Sequence, residues 1–411
     1  MEDRRHPVQP GIKNSTLSLI ISDRLQELDW DSFPRSNWDL LVAKAHAERV
    51  APLIYWTLSN SGQIGSLPES ARNSLRTMYS DTWTHNHRIF KELEVLAGLF
   101  HQADIRAVLL KGACFALTIY PDIGLRPMQD IDLLIPALQI SGAVGIAASQ
   151  GYERIPERPE IFIGERELFS QEITLGKVDG QFLYLDLHKD LVANPVYTYA
   201  VRTNWFWNQI ESFNVWPSSE SAPGQFRSLP IGMLTPTAQL LHSASHAILQ
   251  HGHRNSPLLW FYDLDRLLSV YAERMDWDQL IDRALEFQWG PVLYEALSRT
   301  HSCFNSPIPD FVYDGLLKQS HSQKNLVILK QNNPRTLLID EEQELMALKG
   351  WVRFRLILAL IAPAPAYMRW RYQLKTSWRL PVCYLLRWLG ILVDAFRTLI
   401  VLLKRSPETE P

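Results

Sequence analysis

The sequence has little cysteine, no long uninterrupted apolar run and no large surplus of charge of one sign. Its three cysteines, Cys114, Cys303 and Cys383, are too few and too scattered for a disulfide framework or a thiolate metal site. We interpret them as small apolar core residues, which suits a reducing cytosol. A net charge of −3 over 411 residues favours neither nucleic acid nor membrane as a general partner.

The usual signals of membrane-spanning and secreted proteins are also absent from the sequence. No stretch reaches the roughly 18 consecutive apolar residues expected of a transmembrane helix. The beginning, MEDRRHPVQP, has no apolar run after its basic residues. The nearest candidate span, residues 380–403, is interrupted by Arg387, Asp394 and Arg397. We therefore predict a cytoplasmic protein, with peripheral membrane attachment as an alternative.

Charge is unevenly distributed towards the C-terminus. Between Trp351 and Arg405 the sequence contains ten Lys or Arg residues and one acidic residue, Asp394. The same stretch is rich in Trp, Tyr and apolar residues, a mixture typical of a membrane interface. The alternative is a pair of packed helices in which arginine stems cover apolar surface. For residues 380–405 we predict contact with a membrane surface or with another protein.

The spacing of apolar residues divides the chain into four segments. Residues 1–103 form an N-terminal helical region, and a small mixed α/β unit follows at 104–215. Helical spacing returns in 230–348, and 349–411 contains the basic, aromatic-rich C-terminal helices. We therefore predict an α+β fold, in which a core with a small mixed sheet is flanked by N- and C-terminal helical bundles.

Two aspartates alternate with apolar residues in the segment MQDIDLLIP (128–136). On a β-strand, residues two apart point to the same face, so Asp130 and Asp132 lie side by side on the predicted strand. Like charges this close disfavour each other unless a cation neutralises them. Oxygen ligands favour Mg²⁺ or Mn²⁺ over zinc, so the pair predicts a site for one of these ions.

A third carboxylate follows on a predicted β-hairpin, residues 171–188, whose turn contains an Asp-Gly pair. In the second strand, LYLDLH, the leucines share one face, which leaves Asp186 and His188 on the other. A third carboxylate beside the first two would complete a two-metal site. Asp186 is the candidate. A position close to Asp130 and Asp132 would indicate a catalytic site, and a distant position would indicate a non-catalytic relic.

A candidate phosphate-binding junction precedes the aspartates. Lys111 and Gly112 lie where a predicted strand, residues 105–112, meets a short predicted helix, residues 113–120. A glycine there lets the backbone approach a phosphate, the helix N-terminus supplies free N–H groups, and the lysine adds positive charge. Arg126 is a further candidate because its guanidinium matches phosphate oxygens. The alternative for Arg126 is an ion pair with Asp122 or another nearby acid.

The order of these features is more specific than any one of them. The segment LLKGACFALTIYPDIGLRPMQDIDLLI, with Asp-Leu-His downstream, resembles the signature of an uncharacterised nucleotidyltransferase family in the polymerase-β-like superfamily. The resemblance covers about residues 35–300. Its matching residues are Lys111, Gly112, Tyr120, Pro121, Arg126, Asp130, Asp132, Asp186 and His188. The sequence departs from the wider superfamily in having Gly112-Ala113 where Gly-Ser or Gly-Gly is usual.

The resemblance implies a nucleotidyltransferase core and a metal-dependent enzyme. Such an enzyme transfers a nucleoside monophosphate from an NTP to a hydroxyl of a small molecule, peptide or protein by two-metal catalysis. Sequence-specific nucleic acid is not an implied partner, and the alternative is a non-catalytic nucleotide-binding or interaction protein on the same fold. The implied catalytic and metal-binding residues are Asp130, Asp132 and Asp186, and the implied nucleotide-binding residues are Lys111, Gly112, Arg126 and His188.

Two further pairs of polar residues lie on predicted helices. His242 and His246 are four residues apart, a spacing that can chelate zinc, although no glutamate lies between them to act as a base. Lining of the nucleotide or acceptor pocket and packing in the core are the alternatives for this pair. Asp263 and Asp265 face away from each other around their helix. We predict an inward hydrogen-bonding role for Asp263 and a solvated position for Asp265.

Overall fold

The structure is a computed structural model. It describes residues 14–28, 37–156, 158–164, 170–179, 181–191, 203–213, 229–250, 256–317, 350–374 and 376–404. The chain divides into two compact units, and neither is continuous in sequence. Unit 1 comprises Met1–Arg154, Gln171–Val192 and Ala200–Asn332, and unit 2 comprises the remainder. The division into four consecutive segments stays a prediction.

The first part of unit 1 is helical. Its helices are α1 (Asn14–Ile21), α2 (Asn37–Ala47), α3 (Ala51–Asn60) and α4 (Glu69–Gln102). Helix α4 begins directly after Pro68, where the fixed φ of proline suits a helix start. The continuous helical spacing of residues 37–60 is divided into two helices by a turn at Arg49, whose φ is +60°.

A seven-stranded mixed sheet in unit 1 has the order β3-β4-β5-β2-β1-β7-β6. The strands are β1 (Val108–Leu109), β2 (Asp130–Leu134), β3 (Glu153–Arg154), β4 (Glu172–Asp179), β5 (Gln181–His188), β6 (Ile210–Ser212) and β7 (Gly232–Leu234). Helices α5 (Lys111–Thr118), α6 (Ile140–Ser149) and α7 (Thr203–Trp207) lie between them in sequence. Strands β4 and β5 form the predicted hairpin, and β5 pairs in parallel with β2.

The two faces of this sheet differ in chemistry. Ile131 and Leu133 of β2 and Leu185 and Leu187 of β5 are buried in one core cluster, together with apolar residues of α4 and α6. Since successive residues of a strand point to opposite faces, the intervening residues of β2 and β5 point away from this core. The alternation in the sequence therefore places the aspartates of both strands on the second face.

Helices return after the sheet. They are α8 (Pro236–Ser245), which continues as a π-helical turn at His246–Gln250, α9 (Leu258–Tyr271), α10 (Trp277–Glu286), α11 (Gly290–Phe304) and α12 (Asp310–Leu317). Their apolar sides are buried against one another, with Trp289 and Phe261 fully enclosed. The prediction of an α+β fold with a mixed sheet and flanking helices is confirmed.

Unit 2 contains α13 (Gly350–Ile361), α14 (Pro365–Arg371) and α15 (Leu380–Lys404). Tyr367, Met368 and Cys383 form its small core, against which Ile161 packs. The carbonyl oxygen of Ile161 also accepts a 2.7 Å hydrogen bond from the Ala364 N–H. Among the described residues, no helix combines the length and apolar character that crossing a bilayer requires.

Some element boundaries were predicted wrongly. The strand expected over residues 105–112 is limited to Val108–Leu109, because α5 begins at Lys111. Strands β3, β6 and β7 were not predicted, since two or three residues are too few to show an alternation. Strand β7 nevertheless lies inside the sheet, in parallel with β1.

Candidate active site

The three aspartates lie together on the second face of the sheet. Asp132 of β2 and Asp186 of β5 are register partners on neighbouring parallel strands. Such strands are about 4.8 Å apart and register partners point to the same face, so these two carboxylates adjoin. Asp130 precedes Asp132 by two residues and shares that face. The structure thus places the three predicted carboxylates on one face of neighbouring strands.

Asp132 is held by two basic side chains, Lys111 and His188. Its Oδ1 lies 2.7 Å from the Lys111 Nζ and 2.7 Å from the His188 Nε2. The other ring nitrogen of His188, Nδ1, lies 3.2 Å from the Glu172 Oε2. The His188 ring thus lies between the carboxylates of Asp132 and Glu172. Lys111 and His188 therefore orient a carboxylate in this arrangement.

These contacts separate the pKa values of the three aspartates. Burial alone would raise the pKa of Asp132, but the charges and hydrogen bonds of Lys111 and His188 hold it well below its ordinary value. Burial and the negative charge of Asp132 raise the pKa of Asp130 to about 6. Burial, together with the charges of Asp132 and Glu172, also raises the pKa of Asp186. Additional positive charge would stabilise the ionised form of this cluster.

The donor set fits a hard divalent cation. All three side chains offer carboxylate oxygens, which Mg²⁺ and Mn²⁺ prefer. Within the part of the chain that the structure describes, the buried Oδ1 of Asp186 has no hydrogen-bond partner, which is costly for a charged group. Across those same residues, however, no three His, Cys, Asp or Glu side chains are already grouped as a metal centre. Asp132 is engaged by protein cations instead.

The predicted phosphate-binding junction is tightly built. Lys111 has a φ of +44°, an unusual backbone conformation for a residue with a Cβ. A Cβ added at Gly112 would lie 2.3 Å from the Arg126 Nη1, so the glycine makes room for this guanidinium. The sequence predicted that the glycine lets a phosphate approach, and the structure shows a cationic side chain beside it.

Arg126 forms a buried ion pair with Asp263 of α9. Its Nε and Nη2 donate to the two carboxylate oxygens of Asp263 at 3.2 and 2.8 Å. The Tyr120 hydroxyl donates to the same carboxylate at 2.7 Å. Asp122, the partner considered from the sequence, instead accepts from the Gly124 N–H at 2.6 Å. Asp263 has the inward hydrogen-bonding role that was predicted for it.

A cavity of about 400 Å³ borders this cluster. Its charged lining includes Lys111, Arg126, Asp130 and Asp132. Arg49, Phe115, Ser243, His246 and Trp260 also line it. Asp186 and His188, on the next strand, are not among the lining residues. The cavity thus combines a charged surface with an aromatic one, as a ligand with a polar and an aromatic part would need.

The histidine pair on α8 and the π-helical turn divides between two environments. His242 is buried, and burial, followed by the charges of Lys111 and His188, lowers its pKa to about 3. His246 lines the cavity, as the pocket interpretation predicted. The predicted solvated position of Asp265 is wrong. Asp265 is half-buried and accepts a 2.6 Å hydrogen bond from the Ser306 hydroxyl.

Arg49 was not predicted as a site residue. It lies in the turn between α2 and α3 and, with Ala47, is far in sequence from the other residues that line the cavity. No motif surrounds it, so only the packing of α2 and α3 in three dimensions reveals its position. Its guanidinium carbon lies 6.0 Å from the centre of the Trp260 ring.

Comparison with known proteins identified a family and related solved structures. Residues 34–305 match a family described as uncharacterised nucleotidyltransferase. Among solved structures, the chain is similar to an antigenic nucleotidyltransferase-like protein from Paracoccidioides brasiliensis, with 12% sequence identity and a TM-score of 0.34. That similarity covers 55% of this chain and 96% of the other. Comparison with curated proteins returned no match.

Proposed function

The chain belongs to the family of uncharacterised nucleotidyltransferases, and from this premise we propose that it transfers a nucleoside monophosphate from an NTP to an acceptor hydroxyl. The acceptor is a small molecule, a peptide or a protein. The observation that carries the proposal is the register pairing of Asp132 with Asp186, next to Asp130 and a cavity of about 400 Å³. A non-catalytic module on the same fold would not need three carboxylates on one face.

We propose that Asp130, Asp132 and Asp186 hold Mg²⁺ or Mn²⁺. Such ions, when bound, neutralise the charge of the NTP phosphates and of the departing pyrophosphate. The all-oxygen donor set and the unpartnered Oδ1 of Asp186 within the described residues support this assignment. For the Oδ1 of Asp132 to take part, Lys111 has to release it. The ammonium group of Lys111 is then available to a phosphate oxygen.

The protein side chains have separate roles in the proposed transfer. Lys111 and Arg126 provide positive charge to the phosphates in the cavity, and Gly112 leaves room beside them. Asp186 accepts the proton of the acceptor hydroxyl, a role that its raised pKa favours. The hydroxyl oxygen bonds to the α-phosphorus as the bond from that phosphorus to pyrophosphate breaks, and pyrophosphate leaves with the electron pair. His188 keeps Asp132 oriented.

Labelled NTPs test this proposal with the full-length protein. The protein is incubated with Mg²⁺, NTPs labelled on the α-phosphate, and cell extract as the source of acceptor. We expect the label to move to an acceptor, and Asp130→Ala to reduce this transfer by about 100- to 1,000-fold, the scale of losing one group that stabilises a transition state electrostatically. Asp282→Ala, a carboxylate removed from the exposed side of α10, is the matched control.

Two results would contradict the proposal. Equal labelling and equal Mg-NTP affinity of wild type and Asp130→Ala would reject the carboxylate site altogether. Nucleotide binding that depends on Asp130, with no label transferred to any acceptor, would favour the non-catalytic module. Mass spectrometry of the labelled fraction identifies the acceptor.

We also propose that unit 2 contacts a membrane surface from the cytosol, a compartment that three free cysteines suit. An apolar face of α15 recurs at helical spacing and is exposed: Val382, Leu385, Leu386, Leu389, Leu392 and Val393. Residues 350–393 contain seven Lys or Arg residues and no acidic residue, which suits an anionic surface. An exposed apolar helix face beside arginines and tryptophans is the arrangement of an interfacial helix.

A further inference from the structure

We propose that Arg49 and Trp260 bind the nucleobase of the NTP, stacked between the guanidinium group and the indole ring. The inference rests on the proposed function, because it concerns the half of the ligand that the carboxylates do not bind. Both residues line the cavity that also contains Lys111, Asp130 and Asp132. A nucleotide needs such a combination, with charges for its phosphates and a flat aromatic surface for its base.

The spacing of Arg49 and Trp260 suits a planar ring. The guanidinium carbon lies over the indole at 6.0 Å from the ring centre, compared with the roughly 3.5 Å between stacked planar groups. Planar groups stack at about 3.5 Å, so a base between them needs roughly 7 Å. Arg49 is exposed and its side chain is long, so a shift of about 1 Å opens this space. Guanidinium planes and aromatic rings are the usual stacking partners of bases.

A contact with His246 on one side fixes the orientation of the Trp260 ring. The His246 ring meets it edge-on, with the ring centres 4.9 Å apart and the planes inclined at 63°. Trp260 itself lies in the first turn of α9 and is half-buried. Ser243, three residues before His246, also lines the cavity and offers a hydroxyl to the edge of a base.

The position of Arg49 is fixed by its neighbour Glu48. The Glu48 carboxylate accepts a 2.7 Å hydrogen bond from the Leu258 N–H. The backbone carbonyl oxygen of Glu48 accepts a second hydrogen bond, of 3.3 Å, from the Leu259 N–H. These bonds join the turn between α2 and α3 directly to the start of α9. The backbone segments that carry Arg49 and Trp260 are therefore held side by side, although the two residues are far apart in sequence and the long Arg49 side chain can still move.

Helix α9 also connects this aromatic pair to the phosphate side of the cavity. Asp263 follows Trp260 by three residues, so both project from the same side of the helix. Asp263 binds Arg126, whose Nη1 adjoins Gly112 and therefore Lys111. One helix thus positions the surface for the base and the cation for the phosphates, which is why we assign the aromatic pair to the nucleotide rather than to the acceptor.

Comparison of NTPs with inorganic tripolyphosphate isolates the contribution of the base. Dissociation constants are measured by calorimetry on the full-length protein with Mg²⁺. We expect Trp260→Ala to weaken NTP binding by about 5- to 150-fold, the range for loss of one stacked base, and to leave tripolyphosphate binding unchanged. Trp260→Phe should keep most of the NTP affinity and shows that any loss in Trp260→Ala is not a folding defect.

The chain offers a matched control for this experiment. Arg106 lies over the Trp207 ring, with its guanidinium carbon 5.1 Å from the ring centre, and neither residue lines the cavity. Trp207→Ala therefore removes an equivalent arginine–tryptophan pair elsewhere in unit 1. We expect it to bind NTPs and tripolyphosphate as the wild type does.

Arg49 is tested in the same way. Arg49→Ala should weaken NTP binding with no effect on tripolyphosphate, and Arg49→Lys should restore little because an ammonium has no plane to stack. An equal loss for both ligands would overturn the proposal, since Arg49 would then bind phosphate.

Failure of this inference is distinguishable from failure of the proposed function. If Trp260→Ala keeps the wild-type ratio of NTP to tripolyphosphate affinity while Asp130→Ala abolishes label transfer, the base lies elsewhere and the enzyme proposal stands. If Asp130→Ala transfers label and binds Mg-NTP as the wild type does, both proposals are rejected.

Discussion

The surroundings of Asp132 favour its ionised form, and the same surroundings favour the neutral form of His242. Lys111 and His188 favour the ionised form of Asp132. His242 is buried nearby, and the same two cations disfavour its protonation. A neutral His242 avoids a third positive charge at this position. His242 therefore stays neutral in the folded protein until the pH approaches 3.

His242 should give the folding stability a specific pH dependence. In the unfolded chain a histidine has a pKa of about 6.5, whereas in the folded protein the pKa of His242 is lowered to about 3. Between these values His242 binds a proton in the unfolded state and not in the folded state, so its contribution to stability falls as the pH decreases from about 7 to 4. The loss is on the order of a few kcal/mol. Urea unfolding across this range measures it.

The control for this prediction is the exposed His101 on α4. We expect His242→Gln to be less stable than wild type at pH 7 but flatter in its pH dependence, because its side chain does not titrate. His101→Gln should follow the wild-type curve. A His242→Gln variant with the full wild-type slope would show that another group is responsible.

At the scale of secondary-structure elements, α9 is anchored to the core by the Arg126–Asp263 pair and the Tyr120 hydroxyl. Removing one partner of a buried ion pair leaves the other charge unpaired, which typically costs about 3–5 kcal/mol. We therefore expect Asp263→Ala to lower the free energy of unfolding by this amount. Tyr120→Phe removes one hydrogen bond to a charged carboxylate and should cost about 1.5–3 kcal/mol.

Urea unfolding of the full-length protein tests both values, with Asp282→Ala on the exposed side of α10 as the control. The prediction fails if Asp263→Ala is no less stable than this control. Since Asp263 also fixes Arg126, the Asp263 variant should bind tripolyphosphate more weakly, whereas Tyr120→Phe should bind it nearly normally.

The elements that the sequence predicted are those with a repeating pattern. Strands β2, β4 and β5 show an alternation of apolar and polar residues, and the hairpin turn contains Asp-Gly. The same alternation predicted that Asp130, Asp132 and Asp186 share one face, and in the structure they lie on one face of the sheet. Strands β6 and β7 have three residues each, and pairing with neighbours, rather than a local pattern, makes them strands.

The contacts that the sequence did not reveal are long-range ones. Arg126 and Asp263 are 137 positions apart, and the charge of Arg126 matched several closer acids equally well. Arg49 enters the cavity only because Glu48 binds the start of α9. Side-chain patterns specify a face of a strand or helix, but the choice of partner from another element depends on packing.

At the scale of the whole molecule, unit 2 predicts binding to anionic vesicles. Full-length protein should float with phosphatidylserine-containing vesicles, less so with neutral ones, and less at high salt. Replacing both Leu385 and Leu389 with glutamate puts two negative charges on the exposed apolar face of α15, and should abolish flotation.

Leu138→Glu is the control, because Leu138 is fully exposed and belongs to unit 1. Flotation of the double α15 variant at the wild-type level would contradict a membrane role for this helix. Absence of vesicle binding by the wild type, with self-association that the double variant loses, would favour a protein partner instead.

The chain passes from unit 1 to unit 2 and back more than once, and this order limits how the gene can be divided. Residues 158–164 come between β3 and β4 in sequence, yet they belong to unit 2. In unit 2, Arg158 lies over the Tyr367 ring, and the Ile161 carbonyl oxygen accepts a hydrogen bond from the Ala364 N–H. A gene cut before Gly350 would delete these partners and leave the inserted segment behind. Unit 2 therefore cannot be gained, lost or exchanged as one continuous stretch of the gene. A recombination event that keeps unit 2 intact has to transfer the coding sequence of both units.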